Sequence, residues 1–138
     1  MPWYFYALLS AVAAAATAIL AKMGVEGVPS TVATAIRTVV VLVLAWAVVL
    51  SAGHQRAVLT VSSRTLTFLV LSGIATAVSW LAYFRALQAA PVSWVAPIDK
   101  LSLPFTIVLA SVVLRESVTL QQLVGVSLMV VGALLVAR

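Results

Sequence analysis

Residues 30–52 read STVATAIRTVVVLVLAWAVVLSA, a run with one charge, Arg37, and otherwise almost wholly apolar. A helix needs about 20 apolar residues to cross the hydrocarbon core of a bilayer, so this stretch predicts a transmembrane helix. Composition extends that reading to the whole chain. Of 138 residues, 64% are apolar and 8% charged, whereas soluble domains carry about 25% charged residues. Too few charges exist to cover a water-facing surface, and an all-α integral membrane protein follows. The length suits one domain, residues 1–138. With no cysteine, disulfide and thiolate chemistry are excluded. The net charge of +5 comes from basic residues scattered singly. That pattern fits membrane orientation, not nucleic-acid binding.

Outward from this run, four further segments are long enough to cross. Pro2–Ala21 and Ser117–Ala137 hold no charge, Leu66–Ala90 holds Arg85, and Pro91–Leu114 holds Asp99 and Lys100. Five transmembrane helices are therefore expected, over about 2–21, 30–52, 66–90, 91–114 and 117–137. Short turns separate them, the longest being Gly53–Thr65 with His54, Arg56 and Arg64. The first segment lacks the basic start of a signal peptide and its apolar run is too long for one. Its Trp3, Tyr4, Phe5 and Tyr6 suit an interfacial aromatic belt instead.

Five crossings place Arg56, Arg64 and Arg115 on one side and Lys22, Arg85 and Arg138 on the other. The positive-inside rule finds no bias in that balance. Insertion in both orientations is the favoured expectation; an external factor that fixes one orientation is the alternative.

Polar residues recur at helical spacing: Ser72, Thr76, Ser79 and Tyr83; Ser30, Thr34 and Arg37; Asp99, Ser102 and Thr106; and, more sparsely, Tyr6, Ser10 and Thr17. One such stripe alone would be explained by hydrogen bonds that knit helices together. Four stripes, two with ionisable residues, favour a shared polar interior. In the last segment Gly125 and Gly132 stand two turns apart on one face, which allows close helix approach, either within the chain or at a dimer interface.

Residues 94–105, WVAPIDKLSLPF, bracket an acid–base pair with two prolines. Pro97 and Pro104 deprive the Ser93 and Lys100 carbonyls of their helical donors, and freed backbone at membrane depth persists only where protein or a wet cavity accepts it. Asp99 lies about 12 Å in from Pro91, and Arg37 about 10 Å in from Ser30, at 1.5 Å per residue. A lone charge at that depth costs a few kcal/mol or more. An Arg37–Asp99 pair is expected, either within a binding site or as a structural bridge with Lys100 snorkelling to the interface. The expected substrate- or ion-binding residues are Asp99, Lys100, Arg37, Tyr83, Trp80, Ser79, Trp94 and Ser102. Asp99 would take a proton or an ammonium group, and Arg37 and Lys100 a carboxylate. Trp80, Tyr83 and Trp94 would flank the substrate or anchor at the interface. No enzyme, cofactor or metal is expected: the only histidine, His54, sits in a loop, and neither metal-ligand clusters nor Gly-rich phosphate loops occur.

The stretches AKMGVEGVPSTVATAIRT (21–38), SWLAYFRALQAAPVSWVAPIDKLS (79–102) and RESVTLQQLVGVSLMVVGALLV (115–136) resemble the EamA domain of the drug/metabolite transporter superfamily along nearly the whole chain. The closing segment also resembles the last helix of small multidrug resistance transporters. The resemblance implies one half of an inverted-repeat transporter, normally two such domains in ten helices. A single copy would then pair with a second chain inserted the other way up, as an antiparallel homodimer through the Gly125–Gly132 helix. Small multidrug resistance proteins use a first-helix glutamate to exchange protons for cationic drugs; the first segment here has no acid, which argues against that mechanism. The expected function is a secondary carrier of a small zwitterionic or anionic metabolite, multi-pass in the cell (inner) membrane, with alternating access between protomers. The alternatives are a non-transporting scaffold or accessory subunit and a small multidrug exporter. The expected partners are the substrate, the bilayer and a second copy of the chain, with no nucleic acid.

Overall fold

A computed structural model describes residues 2–137; Arg138, counted above among the basic residues, lies outside them. The described residues form helices and connecting turns: α1 (Trp3–Gly24), α2 (Ser30–Ser51), α3 (Gln55–Val58), α4 (Ser63–Ala89), α5 (Val92–Asp99), α6 (Ser102–Val113) and α7 (Leu120–Val136).

Four stretches, not five, reach membrane length: Trp3–Gly24, Ser30–Ser51, Ser63–Ala89 and Val92–Val113, the last made of α5 and α6. The expected fifth, α7, has 17 residues, about 25 Å at 1.5 Å per residue. Its cap explains the shortening. Thr119 has an extended ψ of 157° and its hydroxyl accepts the Gln122 N–H, while the Gln122 side chain accepts the Thr119 N–H. This capping box satisfies two orphan donors and starts the helix after Thr119, so Ser117 and Val118 stay outside it. Elsewhere helices gain length. The Ser62 hydroxyl accepts the Thr65 N–H at 3.2 Å, which begins α4 ahead of Leu66, and α1 runs on through Lys22 to Gly24. The 53–65 loop contains α3, a single turn that the sequence analysis did not anticipate.

The chain does break at Asp99–Lys100, but gently. Lys100 (φ −70°, ψ −8°) and Leu101 (φ −62°, ψ −14°) remain right-handed. Pro104 cannot donate to the Lys100 carbonyl, and the Leu103 N–H does so instead at 3.0 Å; the Leu101 N–H likewise reaches the Ile98 carbonyl at 3.0 Å. Two tighter i→i+3 bonds thus replace the α-helical ones, and of the two carbonyls expected to lose their donors, that of Lys100 is satisfied by its own turn.

The chain divides into two compact units, Ala21–Gln88 and Met1–Leu20 with Ala89–Arg138. In the first, Ala21, Val25, Phe84 and Leu87 are buried, with Ser30 and Thr34. Lys22 Nζ donates to the Leu87 carbonyl at 2.6 Å, and Gln88 Nε2 donates to the Val28 carbonyl at 2.7 Å. These bonds clasp the α1–α2 turn to the end of α4. In the second unit α5 and α6 pack on α7, where Val95 and Ala133 are buried. Large apolar side chains elsewhere are exposed, including Val39–Leu44 of α2 and Leu123, Leu128, Val131 and Leu135 of α7. Only a lipid or protein environment accommodates so much apolar surface.

Candidate functional site

Arg37 lies inside α2, seven residues beyond Ser30. Its guanidinium carbon sits 3.1 Å from the centroid of the Trp80 ring and 5.9 Å from that of Phe84. Trp80, Tyr83 and Phe84 occupy positions i, i+3 and i+4 of α4, which places them on one helix face. Their rings support one another: Trp80 and Tyr83 meet edge-on at 5.7 Å, and Trp80 and Phe84 meet tilted at 5.9 Å. Phe84 is buried, Trp80, Tyr83 and Arg37 half-buried. A cation over a tryptophan face gains about 2 kcal/mol or more when desolvated. The stack thus offsets part of the cost of holding Arg37 at membrane depth.

The stack leaves donors for other partners. A guanidinium carries its five N–H groups in its own plane, so stacking occupies the flat face and not the edge. The only acid of this unit is Glu26, and among the described residues of the unit no carboxylate forms an ion pair with Arg37.

Asp99 and Lys100 stand at the α5–α6 break. Lys100 Nζ is 3.4 Å from Asp99 Oδ2, the two side chains being 54% and 36% exposed. The ammonium lies at the C-terminal end of α5, where a positive charge is favoured by the helix dipole. Ser102 opens α6, Trp94 is exposed in α5, and Ser79 is exposed in α4. The structure therefore joins Arg37 to Trp80 with Tyr83 and Phe84 nearby, and Asp99 to Lys100. Arg37 belongs to one compact unit and Asp99 to the other, and their pairing stays a proposal.

The hydroxyl stripes have a local explanation. Thr34 donates to the Ser30 carbonyl at 2.8 Å, Thr76 to that of Ser72 at 2.9 Å, and Thr106 to that of Ser102 at 2.8 Å. Each such hydroxyl spends its proton one turn back on its own helix. A polar cavity is not needed to satisfy these three donors. A cavity of about 300 Å³ does open beside the Lys22–Leu87 clasp, lined by Lys22, Val25, Glu26, Gly27, Leu87 and Gln88. None of the residues expected in the site lines it.

Two features escaped the sequence analysis: Phe84 as part of the aromatic platform, and the clasp. The spacing of Trp80, Tyr83 and Phe84 was a usable signal for the first. The second joins residues far apart in sequence. Gly125 and Gly132 have nothing among the described residues within 4 Å of where a Cβ would stand, so both positions leave room for a neighbour.

The profile of the EamA-like transporter family matches residues 1–138. The chain is 46% identical over 135 residues, 98% of its own length and 96% of the relative's, to a Sinorhizobium sp protein named "Uncharacterized transporter in cobO 3'region". No solved structure matches.

Proposed function

As the chain belongs to the EamA-like transporter family and is a multi-pass membrane transporter, we propose that it carries a small zwitterionic or anionic metabolite, by alternating access in an antiparallel homodimer of the cell (inner) membrane. The observation that carries the substrate class is Arg37, a permanent cation inside a membrane-length helix, held on Trp80 with its edge donors turned to no carboxylate of its own unit. Arg37 and Lys100 against Asp99 leave one positive charge per protomer at membrane depth. A lipophilic cation would be repelled there by several kcal/mol in a low-dielectric setting. A carboxylate gains a charge-assisted hydrogen bond. Asp99, Lys100, Ser102 and Trp94 on the α5–α6 side, with Ser79 and Tyr83 on α4, complete the proposed site.

The homodimer is supported by the basic residues, which balance when the 17-residue α7 is counted as a fifth crossing, and by the open space at Gly125 and Gly132 of α7. A second copy laid on that face would bring the helices close. The test is uptake into proteoliposomes of an amino-acid panel and a quaternary ammonium dye, with Lys100→Ala as control. Amino-acid uptake that falls in the variant is expected. Robust dye transport indifferent to the substitution refutes an anion-preferring carrier.

A further inference from the structure

We infer that the group Arg37 recognises is a carboxylate monoanion, gripped by the edge of its guanidinium, and that Trp80 is the positioning residue that turns that edge towards the substrate. This deepens the transport reading above and rests on it. Three observations carry it.

The first is the stack itself. An arginine side chain alone has several rotatable bonds and would lose much freedom on gripping an anion in one pose. Lying 3.1 Å over the Trp80 ring, with that ring buttressed by Tyr83 and Phe84, the guanidinium plane is fixed in advance. Two parallel N–H donors of the edge then match the two oxygens of a carboxylate. A lysine in the same place would offer a point charge without that fork.

The second is the count of charge. Within Ala21–Gln88 the other basic residues stand at helix ends or in the 53–65 loop: Lys22 in the last turn of α1, Arg64 in the first turn of α4, Arg85 near its end, and Arg56 in α3. Arg37 is the one charge in the interior of α2. One guanidinium neutralises one negative charge. A carboxylate leaves the buried pair neutral, whereas a phosphate dianion leaves a net charge in a low-dielectric setting, which is costly.

The third is that the hydroxyls beside Arg37 on its own helix do not compete. Thr34 and Thr38, flanking Arg37 on α2, donate to the Ser30 and Thr34 carbonyls, both at 2.8 Å. The guanidinium edge is the one charged donor of α2.

Two sets of probes, matched in shape and differing in charge, test this: acetate, acetamide and methylphosphonate; phenylacetate, phenylacetamide and benzylphosphonate. The phosphonates are used at a pH where they are dianions. Binding is followed by thermal shift, in the unsubstituted protein and in each variant below. Each carboxylate is expected to saturate at concentrations about tenfold below those of its amide, the ratio separating a charge-assisted from a neutral hydrogen bond, and below those of its phosphonate, whose second charge stays unpaired. Arg37→Lys keeps the charge and loses the fork, and raises the carboxylate Kd about tenfold. Trp80→Leu raises it as well, and Trp80→Phe restores part of the loss. An amide or phosphonate that binds as tightly as the carboxylate, no saturable response to either carboxylate, or an Arg37→Lys protein equal to the original overturns the inference. Flux is measured separately. Carboxylate binding without counterflow keeps this inference and removes the carrier; counterflow of amines with no carboxylate preference keeps the carrier and removes this inference.

Discussion

The Arg37 guanidinium carbon lies 3.1 Å from the centre of the Trp80 ring, across from α2 to α4. A permanent charge inside a membrane helix is thereby matched to the π-face of the residue best able to hold it. In a double-mutant cycle of Arg37→Leu and Trp80→Leu, read by thermal unfolding in detergent, the double variant should lose about 1–2 kcal/mol less than the sum of the singles. Strict additivity would mean that the stack contributes nothing.

The clasp at the end of α4 should matter more to local opening than to global unfolding. Lys22→Met removes the donor to the Leu87 carbonyl, and Gln88→Leu the donor to the Val28 carbonyl. Each bond is worth about 1 kcal/mol, and more where the donor is charged. Faster hydrogen exchange across residues 22–29 is expected, with α6 and α7 unchanged. Exchange that stays at the original rate in both variants rules out a restraining role.

Leucine at Gly125 and Gly132 meets open space within the chain. The fold of a single chain should tolerate the double substitution, while association through that face should weaken. Crosslinking in native membranes checks this alongside thermal unfolding. Undiminished dimer in the well-folded double variant would place the interface elsewhere.

Counted over five crossings, with the 17-residue α7 as the fifth, the basic residues give neither orientation an advantage, and reporters fused at the C-terminus should be active on both sides of the membrane. Adding two lysines to the 53–65 loop should then drive the population to one side. Signal on one side only in the unaltered protein ends the dual-insertion reading.

Part of this protein was legible in the linear sequence. Hydrophobic length is a local property, so residues 30–52 declared a membrane helix without reference to any neighbour. Prolines lack an N–H wherever they stand, so a disturbance between Pro97 and Pro104 was readable too; its mildness was not, because it depends on the Leu103 N–H turning one residue early to the Lys100 carbonyl. Helix ends were the least legible. The Thr119–Gln122 box shortened α7, and capping geometry needs both side chains in place. The hydroxyl stripes were legible only in part for a related reason: spacing marks the face a threonine occupies but not whether its proton is already spent on the carbonyl one turn back.

The pairing of side chains was decided by tertiary structure alone. The sequence established that Arg37 needs a partner, because desolvated charge is costly wherever it occurs. Matching depth suggested Asp99, and nothing in the spacing pointed to Trp80, 43 positions further along the chain. The contact with Trp80 follows from which face α4 turns towards α2 within Ala21–Gln88. That face carries Trp80, Tyr83 and Phe84, and a planar cation on an aromatic surface satisfies the charge while leaving its donors in reach of a ligand.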